Sequence, residues 1–182
     1  MLVAKEIVSD IVKDSVAPLW QEILSIRHEL NKRTDDLEQY SRRNSIRISG
    51  VEETRDENVE DVVMDVLKDV HPSINVSNID RCHRVGKKNS GTKRQIIVKF
   101  VSYWDRNKVM RNRKLLKHTK QSVYLNEDLS HYRSKLFKKT RDLKRQKKIH
   151  ATWTYDGRIH VCEQQEEATR DIEYESDLIK YN

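Results

Sequence analysis

The chain has 182 residues, 36% of them charged and 36% apolar, and its 36 Lys and Arg outnumber 29 Asp and Glu to give a net charge of +7. This leaves little for a large core and predicts one domain, or two small ones, plus a stalk. Apolar runs fall far short of the roughly 20 residues that span a bilayer, and Cys82 and Cys162 have no CxxC neighbour, so a membrane partner, a disulfide framework and a structural metal site are not expected.

The first residues predict neither a signal peptide nor a membrane anchor, and a reducing, intracellular location is the expectation. Val12, Val16, Leu19, Ile23, Ile26, Leu30, Leu37 and Tyr40 recur at spacings of four and three, with Arg33 as the polar residue in register. That seam predicts a short coiled coil, with Leu19, Ile23, Ile26, Leu30 and Leu37 as oligomerisation residues and Ile at both seam positions favouring three strands. An amphipathic helix lying on its own domain is the open alternative. Pro18 suits a first helical turn, so the continuous helix is predicted to begin there, with residues 1–16 a separate or kinked piece.

Residues 1–42 thus read as a helical stalk, 43–128 as a first domain and 129–182 as a second. In the first domain the strand Ser45–Val51 is followed by an acidic turn, Glu52–Glu57, read as solvated. A helix then opens at the N-cap Asn58, carries Val59, Val62, Val63, Val66, Leu67 and Val70 on one side, and stops at His71-Pro72. Ile79–Val85 and Gln95–Val101 read as strands around a polar turn at Gly86–Gly91, residues 103–116 as a helix, and Val123–Leu125 as a fourth strand. The order βαββαβ is the ferredoxin-like pattern of RNA-recognition motifs, so the fold class is α+β. In the second domain a basic helix over 129–148 opens at Asp128 or Ser130. A hairpin turns at Asp156-Gly157, a type I′ pair, and an acidic tail follows from Glu163, helical or frayed, with Ile172, Leu178 and Ile179 scattered in it.

Charge is segregated along the chain. Residues 81–120 hold fourteen cations (Arg81, Arg84, Lys87, Lys88, Lys93, Arg94, Lys99, Arg106, Lys108, Arg111, Arg113, Lys114, Lys117 and Lys120) against one acid, Asp105. A field of one sign favours a polyanionic partner. If Lys93–Phe100 is the third strand of an RNA-recognition motif, its two stacking positions are Gln95 and Ile97, and the matching position of the first strand is Arg47. The usual aromatic platform is missing. Arg47 and Lys99 are predicted on the open face while Ile46, Ile48, Ile96, Val98 and Phe100 turn into the core, so binding is expected to be phosphate-directed, salt-sensitive and weak in base choice. Trp153 and Tyr155 in the hairpin offer stacking or core packing. Glu52, Glu53, Asp56 and Glu57 lack a complementary histidine or lysine at useful spacing, and no P-loop, nucleophile elbow or HExxH motif is present, so no enzyme and no cofactor are expected.

The run Leu37–Val51 resembles the stalk-to-sheet junction of the RNA-binding first-open-reading-frame proteins of LINE-type retrotransposons. Arg81–Gly86, Ile96–Phe100, the basic helix from Asp105 to Lys114 and Leu125–Ser130 match that family in order. The resemblance covers residues 20 to 162. It implies a coiled-coil trimer that coats its own RNA into a cytoplasmic ribonucleoprotein and acts as a nucleic-acid chaperone, with single-stranded DNA as a further partner and nuclear entry left open. By position it implies that Arg42, Arg43 and Arg47 line a cleft at the stalk junction, and that Arg84, Lys87 and Lys88 occupy the loop after the second strand. It also implies that Arg133 contacts the RNA backbone and that Arg141 and Lys144 extend that surface, while Lys93, Arg94, Lys99, Arg106, Arg111, Arg113 and Lys114 complete the candidate nucleic-acid residues. An oligomerisation scaffold whose basic surface is incidental is the alternative reading.

Overall fold

The computed structural model of the chain describes residues 2–88, 93–165 and 168–181, with residues 2–14 as backbone, and gives an α+β protein with a long N-terminal helix and two antiparallel sheets. The chain divides into two units, Met1–Tyr40 and Ser41–Asn182.

The described residues of the first unit are all helical and form the greater part of α1 (Leu2–Arg42). The expected start near Pro18 is corrected, because helical backbone runs straight through that residue. Proline removes one N–H and crowds the carbonyl four residues back, but helix on both sides of Pro18 holds the turn in place. Arg33 pairs with Glu29 one turn earlier at 2.5 Å, a typical exposed helix pair. Leu19, Ile23, Ile26, Leu30 and Leu37 are 49–71% exposed in the single chain.

In the second unit, alternation of side chains builds the first sheet. β1 (Ser45–Ser49) turns Ile46 and Ile48 inward and Arg47 outward. Gly50 ends it at φ +90°, where an added Cβ would lie 1.8 Å from the Ser122 carbonyl oxygen, so only glycine fits. α2 (Val59–Lys68) starts at Asn58, whose side chain accepts from the Glu60 N–H at 3.0 Å, and buries Val63, Met64, Val66 and Leu67. β2 (Ile79–Val85) and β3 (Gln95–Phe100) follow; the predicted turn between them runs outside the described residues at 89–92. α3 (Tyr103–Asn112) is capped by Ser102, and the single helix expected over 103–116 is corrected to three pieces. A 3₁₀ turn over Arg113–Leu115 leads into α4 (Leu116–Thr119), an arrangement that drops Leu116 into the core. β4 (Tyr124–Glu127) completes an antiparallel sheet of order β2-β3-β1-β4. Ile46, Ile48, Val63, Val66, Leu67, Val70, Ile96, Val98, Phe100, Val109 and Leu116, all at most 1% exposed, form its core under the helices. Each such side chain contributes roughly 1.5–3 kcal/mol on burial.

α5 (His131–Arg145) opens at Ser130, whose hydroxyl oxygen accepts from the Arg133 N–H at 3.2 Å. It covers one face of a second sheet, β5 (Ala151–Tyr155), β6 (Arg158–Cys162) and β7 (Arg170–Ile172) in that order. Asp156 and Gly157, at φ 50° and 76°, make the expected hairpin turn. The tail is corrected from helical or frayed to a third strand and a 3₁₀ helix over Glu175–Tyr181. Ile172, Leu178 and Tyr181 join Leu136, Leu143, Ile149, Ile159 and Val161 in a second core, whereas Ile179 stays exposed.

Candidate nucleic-acid interface

Strand register fixes what lies on the open face of the first sheet. His83 of β2 pairs with Ile97 of β3, which pairs with Arg47 of β1, which pairs with Asn126 of β4. The flanking rows place Arg81 beside Lys99, and Ser49 beside Tyr124. The face therefore carries Arg81, Lys99, Arg47 and His83 with one aromatic ring, Tyr124, 59% exposed. Tyr124, Asn126, Arg81 and His83 were missed as site residues; the period-2 pattern of β2 and β4 was the signal for them. Cys82 faces the other way, and burial pushes its thiol up.

At the end of α1 the site is organised by one carboxylate. Asp128, side chain 1% exposed, accepts from Arg47 Nε at 2.6 Å and from Arg42 Nη1 at 2.9 Å, and each of these arginines keeps 31% of its side chain in solvent. Arg47 also reaches the Gln95 side-chain oxygen at 3.4 Å through Nη1, and its Nη2 has no partner among the described residues. Two guanidiniums converge on one buried carboxylate, which pre-orients them in a geometry suited to phosphate oxygens. Arg43 lies next to them, partly buried.

The other predicted cations divide into three groups. Arg84 lies within β2 and not in a loop, and it is buried: it pairs with Glu57 at 2.7 Å and donates to the carbonyls of Val51, Glu52 and Arg94. Arg94 forks onto Glu53, Lys93 pairs with Glu52, and Arg106, 5% exposed, pairs with Glu127 at 2.7 Å. The expectation that Arg84 and Arg106 face nucleic acid is corrected, since both are themselves buried and committed to carboxylates of the fold. The acidic turn is solvated in part: Glu52, 76% exposed at its side chain, and Asp56 face solvent, whereas Glu53 and Glu57, at 22% and 10%, are drawn in by Arg94 and Arg84. Lys87 and Lys88 are exposed just after β2, and Lys88 acts electrostatically on Glu53. Arg111, Arg113 and Lys114 are exposed on the helix layer, across the core from the open face.

The second sheet is tied to the first by Glu127. Its carboxylate accepts from Arg106 and from the Asp156 and Gly157 amides at 2.8 and 3.1 Å. Arg133 Nη1 donates to the Gly157 carbonyl at 3.1 Å, and the Tyr103 hydroxyl donates to Asp156 at 3.3 Å. Arg133 thus helps hold the hairpin turn. Arg141 lies over the Phe137 ring at 5.2 Å and Lys144 is exposed on the last turn of α5.

The paired acids make folding pH-dependent. Hydrogen bonds from Arg84 hold the Glu57 carboxyl below its ordinary value of 4.5, and Arg94 does the same for Glu53, in each case against the opposing effect of burial. Lys120 and Thr119 lower Asp69 from 3.8. A carboxyl whose folded value is depressed stabilises the fold fully above its unfolded value and loses that stabilisation as pH falls through the folded one. Thermal melts from about pH 7 to about pH 3 are therefore expected to stay level until near the ordinary carboxylate range and then fall. The decline below pH 4.5 should be shallower in Arg84→Met, which removes the Glu57 shift; equal declines in both proteins would contradict the assignment.

No protein-family model matches the chain, and no curated protein matches it. Among the described residues, no helix is long and apolar enough to cross a membrane.

Proposed function

We propose that the chain is a sequence-tolerant single-stranded RNA-binding protein and nucleic-acid chaperone of the retrotransposon ribonucleoprotein type, also taking single-stranded DNA, and acting in the cytoplasm. The observation that carries this reading is the open sheet face, where Arg81, Lys99 and the Asp128-held Arg47 keep part of their side chains in solvent, with Arg42 held on the same carboxylate. The strand order and the two helices on one side of the sheet support the ferredoxin-like, RNA-recognition reading. With Gln95, Ile97 and Arg47 at the stacking positions, affinity comes mainly from phosphate neutralisation and counterion release, and lowered repulsion between strands lets pairing rearrange. The apolar seam of α1, exposed in one chain, supports a homotrimeric coiled coil.

Fluorescence anisotropy with a labelled single-stranded RNA of roughly 30 nucleotides, at several salt concentrations, tests binding. Light scattering on the same sample tests assembly. The expected result is affinity falling steeply with salt, by about 0.7 in logarithmic slope per phosphate contacted, and a mass of a trimer of 21.7 kDa chains. Ile23→Asp with Leu30→Asp is expected to return the mass to one chain. Weak, salt-independent binding would remove the RNA reading, and a monomeric parent would remove the stalk.

A further inference from the structure

We infer that the solvent face of the β5–β6 hairpin is a second nucleic-acid site, at which Trp153 and Tyr155 stack an unpaired base beside Arg158. The inference rests on the single-strand binding proposed above, and adds a base-holding surface that the phosphate-directed face of the first sheet lacks.

The sequence Ala151-Thr152-Trp153-Thr154-Tyr155 alternates threonine and aromatic residues, so its two faces differ in kind. The threonine face is the closed one. Thr152 exchanges a hydrogen bond with Thr140 of α5 at 3.0 Å and donates to the His160 carbonyl at 3.0 Å, and its neighbours Ile159 and Val161 on β6 are buried. The rings therefore point away from the core, with Trp153 37% and Tyr155 57% exposed and the Arg158 side chain 73% exposed.

The three strands supply one ordered row across this face. Trp153 pairs with His160, and His160 pairs with Asp171. The indole stacks on the imidazole with centroids 5.6 Å apart and planes 26° from parallel, and Asp171 holds the imidazole at 2.7 Å. A carboxylate fixes the histidine and the histidine fixes the tryptophan, so the indole loses little freedom when a ligand arrives. Tyr155 pairs with Arg158 in the next row towards the turn.

The chemistry selects the occupant. A flat aromatic surface with a guanidinium at its edge matches a nucleobase, which offers a π face whatever its identity. Lys147 and Lys148, exposed just before β5, add positive charge that draws a polyanion. Glu127 at the end of β4 grips the Asp156-Gly157 turn, which brings the Tyr155 end of the hairpin next to the first sheet.

The test uses the full chain and two probes of equal length and charge, a single-stranded RNA and an abasic phosphate-backbone strand. Trp153→Leu and Tyr155→Leu are expected to weaken RNA binding by about fivefold to a hundredfold, the range one base–aromatic stack supplies. The salt slope and the affinity for the abasic strand should not change, and Trp153→Phe should retain most of the RNA affinity. In a Trp20→Phe/Trp104→Phe chain, where Trp153 is the remaining indole, RNA should quench the fluorescence and the abasic strand should not. RNA binding equal to the parent's in both leucine variants overturns the platform, as does equal loss on both probes; if Trp153→Leu fails to fold, the more exposed Tyr155→Leu decides. A parent that binds neither probe removes the single-strand reading and the platform with it, whereas a parent that binds both equally removes the platform alone.

Discussion

Arg84→Met is expected to lower the stability of the Ser41–Asn182 unit by about 3–5 kcal/mol in urea denaturation, because it removes a buried guanidinium and strands a carboxylate that is only 10% exposed. Arg84 sits on β2 at 3% side-chain exposure, and five donor contacts tie it to Glu57 and to the carbonyls of Val51, Glu52 and Arg94. Those carbonyls belong to the segment leaving β1 and to the approach to β3, so one guanidinium closes three stretches of chain. Methionine fills similar length but donates nothing. Removing Glu57 as well, in Arg84→Met/Glu57→Leu, should recover part of the loss and not all of it, since the three carbonyls stay unsatisfied. Affinity for RNA, measured on the folded protein, should keep the parent salt slope. A loss below about 1 kcal/mol, the ordinary worth of an exposed pair, would show that Arg84 is not buried as described.

Glu127→Ala is the second large effect, with an expected loss of about 3–5 kcal/mol. The carboxylate is 4% exposed and serves the buried Arg106 and two hairpin amides at once, so its removal leaves a cation and two N–H groups without acceptors. Arg106 already has its Nε without a partner, which leaves it little else to turn to. Hydrogen exchange should rise at Asp156 and Gly157 before the rest of β5 and β6. Glu127→Gln, which keeps one acceptor and loses the charge, should fall between parent and alanine. Protection at the turn unchanged in Glu127→Ala would contradict the role assigned to this contact.

Much of the fold was legible because its signals are local. The alternation of Ile46, Arg47 and Ile48, the N-caps Asn58 and Ser130 and the Asp156-Gly157 turn each depend on residues a few positions apart. The fate of the cations was not legible, because their partners lie far along the chain. Arg84 and Glu57 are 27 residues apart, Arg106 and Glu127 are 21, and Arg42 and Asp128 are 86. A run of fourteen cations therefore looked like one field, yet Arg84, Lys93, Arg94, Lys99, Arg106, Lys108 and Lys120 all have acidic partners in the fold. β7 escaped notice because three residues are too short to show a period, and Pro18 misled because its local cost does not decide a helix held on both sides. The candidate site was half readable: Arg47 and Lys99 follow from alternation, whereas the hold of Asp128 on Arg42 and Arg47 needs the fold.

The central claim is that the open face of the first sheet, and not the helix layer behind it, neutralises phosphates. It is tested most directly by the salt slope of RNA binding in two triple variants. Arg47→Ala/Arg81→Ala/Lys99→Ala should lose about 2 units of logarithmic slope, near 0.7 for each contact removed, while Arg111→Ala/Arg113→Ala/Lys114→Ala keeps close to the parent slope. The opposite pattern, or equal losses in the two proteins, would contradict the account.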